Sequence, residues 1–243
     1  GLTPGRCRGV CLKILLTGRS GQVGYELQRT LQGLGQVVAL DRSQMDLSNL
    51  DEVRAVIRKV KPQLIVNPAA YTAVDLAESE SELAMRINAQ APEVMALEAR
   101  QLGAAMIHYS TDYVFDGEQT ASYTEDDLPN PQSVYGRSKL AGEQAIQAAG
   151  IPHLILRTSW VYGARGKNFL LTVRRLAQER EELRIVADQF GAPTWCRTIA
   201  EATAHALIQM QRYSGTQAGA ELDHEVWHSR GGLYHLTCLL YTS

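Results

Sequence analysis

The sequence predicts an α/β fold: a doubly wound parallel sheet with a small second lobe. Three observations carry this. Short apolar runs rich in β-branched residues alternate with amphipathic stretches at the spacing of βαβ units. The first run leads straight into a glycine-rich turn and a helix. The chain has 243 residues, 45% hydrophobic and 21% charged, which suits one ordered domain with a modest extra lobe and excludes wholesale disorder. Folding at this size removes roughly 70–75% of the unfolded surface from water.

Residues 12–17 read as the first strand, ending at Gly18. Val23, Leu27, Leu31 and Leu34 then fall at i, i+4, i+8 and i+11, one apolar stripe on a helix. Residues 37–40 make a second strand. Ser48 opens a helix carrying Leu50, Val53, Ile57 and Val60, with Asp51 and Glu52 in its first turn. A third strand covers 64–66, helical spacing runs over 84–102, and a fourth strand covers 105–109. A helix over 134–149, a strand over 153–156, a helix over 169–177, a strand over 184–186, a helix over 199–208 and a short strand over 233–236 complete the pattern. The strands are brief and apolar, as expected of a parallel sheet covered on both faces. Loop character is strongest over 116–133, with Gly117, Pro129, Asn130 and Pro131, and loops of that length are often functional.

Charge and cysteine usage narrow the function class. With 24 basic and 26 acidic residues and no long single-sign run, the protein is not expected to bind nucleic acid through a broad basic surface. No apolar run approaches the ~18–20 residues of a membrane span, so no membrane partner is expected. Ile14-Leu15-Leu16 is too short for a signal-peptide core. Four cysteines, two at Cys7 and Cys11 and two alone at Cys196 and Cys238, do not make a disulfide framework; a reducing, cytoplasmic setting is expected.

The turn after the first strand reads Gly18-Arg19-Ser20-Gly21-Gln22-Val23-Gly24, a Gly-x-x-Gly-x-x-Gly pattern. Small residues let the backbone approach a pyrophosphate, and the helix N-terminus presents N–H groups and a partial positive charge to it. A ligand-free tight turn has the same composition. Its position between a first strand and an amphipathic helix favours a Rossmann-like, NAD(P)-binding fold. Asp41, at the end of the second strand, can accept hydrogen bonds from the adenosine ribose, which favours NADH. Arg42 beside it, or Arg19 in the turn, can pair with a 2′-phosphate, which favours NADPH. Asp46 and Leu47 border an adenine on one reading and form an ordinary turn before a helix on another.

Tyr135 and Lys139 stand at i and i+4, on one face of a helix. A free phenol, with a pKa of about 10, is a poor proton shuttle at neutral pH. A neighbouring ammonium lowers that pKa, and the phenol can then protonate a carbonyl oxygen while hydride arrives at carbon. The spacing alone is common. Its context is not: the fourth strand runs into Ser110-Thr111-Asp112-Tyr113, and carboxyl ends of strands face the ligand crevice in such sheets. A hydroxyl there can make a second hydrogen bond to a substrate oxygen.

In the order glycine turn, strand-end hydroxyl, Tyr-x-x-x-Lys helix, the sequence resembles the extended short-chain dehydrogenase/reductases, and within them the branch that reduces 4-ketosugar nucleotides. The resemblance covers residues 12 to about 237. It rests on the glycine turn, on Asn67-Pro68-Ala69-Ala70-Tyr71-Thr72-Ala73-Val74-Asp75, and on Ser110-Thr111-Asp112-Tyr113-Val114-Phe115-Asp116-Gly117. It continues through Tyr135-Gly136-Arg137-Ser138-Lys139-Leu140-Ala141-Gly142-Glu143, Arg157-Thr158-Ser159-Trp160-Val161-Tyr162-Gly163, and Asp188-Gln189-Phe190-Gly191-Ala192-Pro193-Thr194. The Ser-Thr-Asp-Tyr-Val-Phe-Asp-Gly and Arg-Thr-Ser-Trp-Val-Tyr strings are far more specific than the glycine turn.

The resemblance implies NAD(P)H-dependent reduction of dTDP-4-dehydro-β-L-rhamnose to dTDP-β-L-rhamnose, a step in making cell-surface polysaccharide. It implies Thr111 as the catalytic hydroxyl, Tyr135 as proton donor, and Lys139 as the group that tunes Tyr135 and holds the nicotinamide ribose. It puts Ala69, Ala70 and Tyr71 on the turn beside the cofactor, and Tyr113 and Trp160 against the sugar nucleotide. Pro68 departs from the more usual Ala and lacks an N–H to donate there. Asp112 supports the Thr111 loop or forms a plain Asx turn. Asn168 and Gln189 line the substrate pocket or structure loops. The family often depends on Mg²⁺, yet no cage of carboxylates is legible, so no metal ligand is assigned. A homodimer is implied for a full-length form.

Two other readings use the same scaffold. One is a non-catalytic NADP-binding regulatory subunit resembling the regulatory subunit of methionine adenosyltransferase, which need not retain Tyr-x-x-x-Lys. The other is a sugar-nucleotide epimerase or dehydratase; a dehydratase needs further acid/base groups beside Thr111, where Asp112 is followed by Tyr113 rather than Glu. The expected organisation is an extension over 1–11, a cofactor domain over 12–160 with 185–212 packing back on it, and a partial substrate lobe over 161–184 and 213–243. Because the resemblance fails over 239–243, that lobe is expected to be incomplete and the sequence to be truncated at its carboxyl end.

Overall fold

The computed structural model describes residues 12–183, 191–213 and 222–238. The 1–11 extension with Cys7 and Cys11, the expected strand over 184–186, Gln189 and the 239–243 stretch lie outside the described residues.

Six parallel strands form the sheet: β1 (Lys13–Leu16), β2 (Gln36–Ala39), β3 (Leu64–Asn67), β4 (Ala105–Thr111), β5 (His153–Thr158) and β8 (Gly232–His235), in the spatial order β2-β1-β3-β4-β5-β8. Helices α1 (Gln22–Thr30), α8 (Cys196–Tyr213) and α9 (His224–Arg230) cover one face. Helices α2 (Leu50–Val60), α5 (Ala91–Leu102) and α6 (Val134–Ala148) cover the other. Every residue of β3 and β4 is buried, as expected of central strands covered on both faces. Side chains alternate between two cores. Leu16, Val66, Ile107 and Leu156 pack with Leu27, Ile199, Leu207 and Trp227. Leu15, Ile65, Met106 and Ile155 pack with Val53, Ile57, Met95 and Ile146. The backbone passes from β1 outward to β2 and then back past β1 to β3. The carboxyl ends of β1 and β3 therefore flank a topological switch point, where open α/β sheets hold their ligands.

Several elements differ from the sequence expectation. Helix α2 is capped by Asn49, whose side chain accepts from the Glu52 amide; Ser48 instead donates to Asp46. The helical stretch expected over 84–102 is preceded by α3 (Val74–Ala77), begins in α4 (Ser81–Met85), loosens into a π turn at Arg86–Gln90 and continues as α5. Pro92 explains the break: it has no N–H to offer the Asn88 carbonyl. Helix α6 presses on that carbonyl through Gly142, where an added Cβ would lie 2.2 Å from the Asn88 oxygen. Strand β4 runs two residues further than expected and takes in Ser110 and Thr111. A small parallel pair, β6 (Val161–Tyr162) with β7 (Thr194–Trp195), and helix α9, capped by Asp223, escape the periodicity. Helix α7 (Phe169–Glu179) has no buried residue. Among the described residues no helix is long and apolar enough to cross a membrane.

Two polar features fix the sheet ends. Arg157 of β5, 4% exposed, makes a two-pronged ion pair with Glu143 of α6 at 2.9 and 2.7 Å, and Phe115 lies against its guanidinium. At the start of the loop over 116–133, Asp116 accepts from the Tyr123 hydroxyl at 2.6 Å, Asn130 at 3.0 Å and the Glu118 amide at 3.1 Å. These bonds, Tyr123 first, hold its carboxyl down to about 2.

Removing one member of a buried pair strands the other charge. Glu143→Ala is expected to lower unfolding stability by about 3–5 kcal/mol in a urea titration. Arg175→Ala, which breaks the exposed α7 pair with Glu179, is expected to change it by less than about 1 kcal/mol. Because the Asp116 pKa is depressed in the folded protein, its anchoring is complete above the ordinary carboxylate range and is lost as pH falls toward about 2. Amide hydrogen exchange in 117–130 should accelerate over that acid window before the sheet amides respond.

Candidate active site

The glycine turn owes its shape to close backbone approach. Gly18 has φ 58°, in the left-handed region, and a Cβ there would sit 2.9 Å from the Ala69 Cβ. A Cβ on Gly24 would lie 2.1 Å from the Gly18 carbonyl oxygen. The Gly21 amide donates to that same oxygen at 2.9 Å, and Gly21 caps α1 without a side chain. The first-turn N–H groups of α1 are thus not covered by a capping side chain, an anion cradle at the switch point. Ser20 is exposed on the turn, whereas Val23 packs into the core and can offer only its backbone. Gln22 ties the turn to the residue before α7: its Oε1 accepts from Asn168 Nδ2 at 2.8 Å. Asn168 also caps α7, accepting from the Leu171 amide at 2.9 Å, and donates to the Gly163 carbonyl at 2.9 Å. Its side chain is therefore occupied in structuring a loop.

At the far end of the crevice, Arg19 donates through Nε and Nη2 to Asp41 Oδ2 at 3.0 and 2.7 Å. Asp41 Oδ1 accepts from the Ser43 amide at 3.0 Å and hydroxyl at 2.6 Å. Ser43 first, and Arg19 with it, hold the Asp41 carboxyl below the usual range. The acid and the guanidinium that favour different cofactors in the sequence are thus bound to each other. Arg42 is exposed and stands 3.5 Å from Asp46. Asp46 accepts from the Ser48 amide at 2.9 Å, and Leu47 is buried in the core under α2.

Ala69, Ala70 and Tyr71 follow β3. Asn88, in the π turn, holds this segment on both sides: its Oδ1 accepts from the Tyr71 amide at 2.8 Å, and its Nδ2 donates to the Tyr71 carbonyl and to Ser138 Oγ, both at 3.0 Å. The Tyr71 hydroxyl donates to Glu80, and that carboxylate pushes the phenol up to about 12. Sequence reasoning missed Asn88; a lone amide on a helical stretch carries no signal of its partners.

Thr111 is the last residue of β4. Its hydroxyl donates to Asp112 Oδ1 at 3.1 Å and accepts from the Tyr113 amide at 3.2 Å. Ser133 caps α6, accepting from the Gly136 amide at 3.0 Å, and so sets Tyr135 in the first turn. Asp112 Oδ2 accepts from Ser159 Oγ at 2.5 Å, and burial pushes its carboxyl upward. One turn beyond Tyr135, Lys139 is 2% exposed and donates from Nζ to the Tyr109 carbonyl at 2.7 Å. Burial pulls Lys139 down to about 8, opposed by Glu143. Burial pushes the Tyr135 phenol up to about 12, and Lys139 Nζ points to β4. At neutral pH the Tyr135 phenol keeps its proton.

The mouth is aromatic. Tyr113 meets Tyr135 edge-on at 5.5 Å, and Trp160 and Phe169, both exposed, have ring centroids 6.5 Å apart. Trp160 adopts φ 42°, a conformation bulky residues rarely take, and a Cβ on Gly191 would lie 2.3 Å from its ring. Among the described residues no group of three or more His, Cys, Asp or Glu converges as a metal site would.

The Arg19–Asp41 pair yields a cofactor test. Asp41→Asn removes the charge opposing a 2′-phosphate and releases Arg19. It is expected to shift the ratio of NADPH to NADH affinity toward NADPH, read by fluorescence titration.

The chain is similar to known proteins over most of its length. The family model described as RmlD substrate binding domain matches residues 12–241. A dTDP-4-dehydrorhamnose reductase of Burkholderia thailandensis is 49% identical over 232 residues, 96% of this chain and 74% of that protein. One from Escherichia coli K12 is 51% identical over 200 residues, 81% of this chain and 67% of that protein. Among solved structures, a dTDP-4-dehydrorhamnose reductase from Clostridium acetobutylicum superposes with a TM-score of 0.82 at 37% identity, covering 94% of this chain and 75% of that one. One from Bacillus anthracis in complex with NADP gives 0.79 at 35% identity, covering 93% and 74%. With the glycine cradle at the switch point and the Thr111–Tyr135–Lys139 cluster beside it, the match from β1 through β8 establishes that the chain belongs to the RmlD substrate binding domain family.

Proposed function

We propose that the protein is an NAD(P)H-dependent sugar-nucleotide 4-ketoreductase that converts dTDP-4-dehydro-β-L-rhamnose to dTDP-β-L-rhamnose. The observation that carries this is that Tyr135 and buried Lys139 stand one turn apart on α6, and that the Tyr135 ring meets Tyr113 two residues past Thr111, the end of β4. Relatives about half identical in sequence bear the name of that reductase.

The reduced nicotinamide, when bound, supplies hydride to the ketone carbon. The N–H groups at the start of α1 would hold its pyrophosphate, and Arg19 with Asp41 its adenosine ribose. Tyr135 gives its proton to the ketone oxygen as the carbon–oxygen π pair moves onto it, so that the product is the neutral alcohol. On this reading Thr111 would turn its hydroxyl proton from Asp112 to that oxygen as a second hydrogen bond, and Lys139 would set the charge behind the phenol. Tyr113 and Trp160 offer flat apolar faces for the sugar and base. A sugar nucleotide is the partner this reading requires; a homodimer and a cytoplasmic setting go with it.

The test is NADPH oxidation with the dTDP-4-ketosugar beside UDP-sugar controls. Turnover is expected with the former alone. Tyr135→Phe should lower turnover by roughly 10²-fold or more while cofactor affinity stays within a few fold. Undiminished turnover in that variant would sink the assignment of Tyr135.

A further inference from the structure

A row of buried polar side chains crosses the sheet beneath the candidate site. Thr17 follows β1, Asn67 ends β3, His108 lies on β4 and Lys139 projects from α6; none is more than 2% exposed. Thr17 Oγ1 donates to Asn67 Oδ1 at 2.6 Å. Asn67 and His108 are direct cross-strand partners, with Asn67 Nδ2 3.1 Å from His108 Nδ1. On its other side His108 Nε2 stands 3.4 Å from Lys139 Nζ. Only Lys139 has a part in the proposed reaction; the other three are polar groups set deep in an apolar sheet.

The donor and acceptor arithmetic of this row is closed. With its oxygen taken by Thr17, Asn67 can only donate to His108, so Nδ1 accepts and a neutral ring carries its proton on Nε2. Burial first, and Lys139 second, hold His108 neutral. The Nε2 proton then faces Lys139 Nζ, which already donates to the Tyr109 carbonyl. A neutral amine has a lone pair to receive that proton; an ammonium has none. When Lys139 is charged, the row is satisfied only in reverse: Nε2 accepts from the ammonium, Nδ1–H donates to Asn67 Oδ1, and Asn67 Nδ2 donates to Thr17. The two arrangements hold the same number of ring protons, and in the second the Thr17 hydroxyl proton turns away from Asn67.

We propose that His108 is a positioning residue for Lys139, and that its tautomer, relayed through Asn67 and Thr17, follows the charge on Lys139. The proton sits on Nε2 when Lys139 is the amine and on Nδ1 when it is the ammonium. The inference rests on the reading of Lys139 as part of a reductase site. It explains how a lysine in a dry setting can change charge there: the row supplies an acceptor for the ammonium and a donor for the amine. The other groups around Lys139 are Tyr135 and Glu143 on its own helix, Glu143 being bonded to Arg157 of β5, and Asn88, bonded to neighbouring Ser138. Asp112, at the end of β4, acts on Tyr135. Burial brings Lys139 down to about 8, so both of its forms are reachable in ordinary buffers.

The experiment is nitrogen-15 NMR of the histidine-labelled 243-residue chain from about pH 6 to about pH 10, with His108→Gln used to assign the two ring signals. Expected is an exchange of character within that range: Nε2 pyridine-like at the acid end and pyrrole-like at the alkaline end, Nδ1 the opposite, and never both protonated. A single tautomer throughout, or an imidazolium at the acid end, would overturn the proposal. Asn67→Asp, which at these pH values only accepts, is expected to lock the proton on Nδ1 throughout; continued exchange in that variant also overturns it. Neither measurement needs substrate or cofactor, so a failed ketosugar assay and a failed tautomer exchange are separate results.

Discussion

Lys139 is an amine carried on a helix that lies against the middle of a parallel sheet, and its burial governs the structure around it. An unpaired charge in such a place costs several kcal/mol, so its surroundings must satisfy it in either protonation state. The Tyr109 carbonyl, one residue past the end of the β3–β4 pairing, receives one of its protons. Glu143 supplies the compensating charge one turn along α6, and Arg157 fixes Glu143 in turn. That series of requirements sets where α6 sits. The helix approaches closely enough only because Gly142 has no side chain to hold it off the Asn88 carbonyl. The same approach puts Tyr135 against Thr111. The geometry of the candidate site is thus a by-product of sheltering one amine.

The cofactor end follows a different logic. Asp41 and Arg19 carry opposite charges, and the sequence reads each as a separate vote for a different nicotinamide. In the structure they form one neutral unit spanning the ends of β1 and β2, braced by Ser43. A ribose hydroxyl competes with Ser43 for the acid, and a phosphate competes with the acid for the guanidinium. Selectivity there is a difference between two exchange processes rather than the presence of one residue.

Much of this was legible from the sequence alone, because parallel sheets write themselves as short apolar runs at regular intervals and strand-to-helix turns need glycine. Gly18, Gly24, Thr111, Tyr135 and Lys139 could be found for that reason: their spacing is local. Asn67, Asn88 and His108 could not, although each is bonded inside the site. Their partners lie 17 to 50 residues away in sequence, and a polar residue in a buried strand looks like a weaker strand until its neighbour is known. The i, i+4 pairing of Tyr135 and Lys139 showed that they share a helix face but not where the amine points, which the Tyr109 carbonyl decides. The cap of α2 moved by one residue because Ser48 and Asn49 both suit it and Asp46 had already engaged Ser48. Trp195 and α9 were missed because a two-residue strand and a single short helix carry too few positions to show a period.

Strand β8 has a consequence for how the protein is made. Among the described residues it pairs with β5 along one side only and stands last in the sheet. On a ribosome, β5 is complete and able to dock on β4 well before Gly232–His235 has been polymerised. Through that interval the backbone donors and acceptors on the free side of β5 are an adhesive edge, next to the buried Arg157 and its neighbours. Nascent polypeptides are therefore most exposed to mispairing with one another after β5 has folded and before β8 arrives. Chaperone demand should depend on how quickly the intervening segment is translated, rather than on the stability of the finished fold.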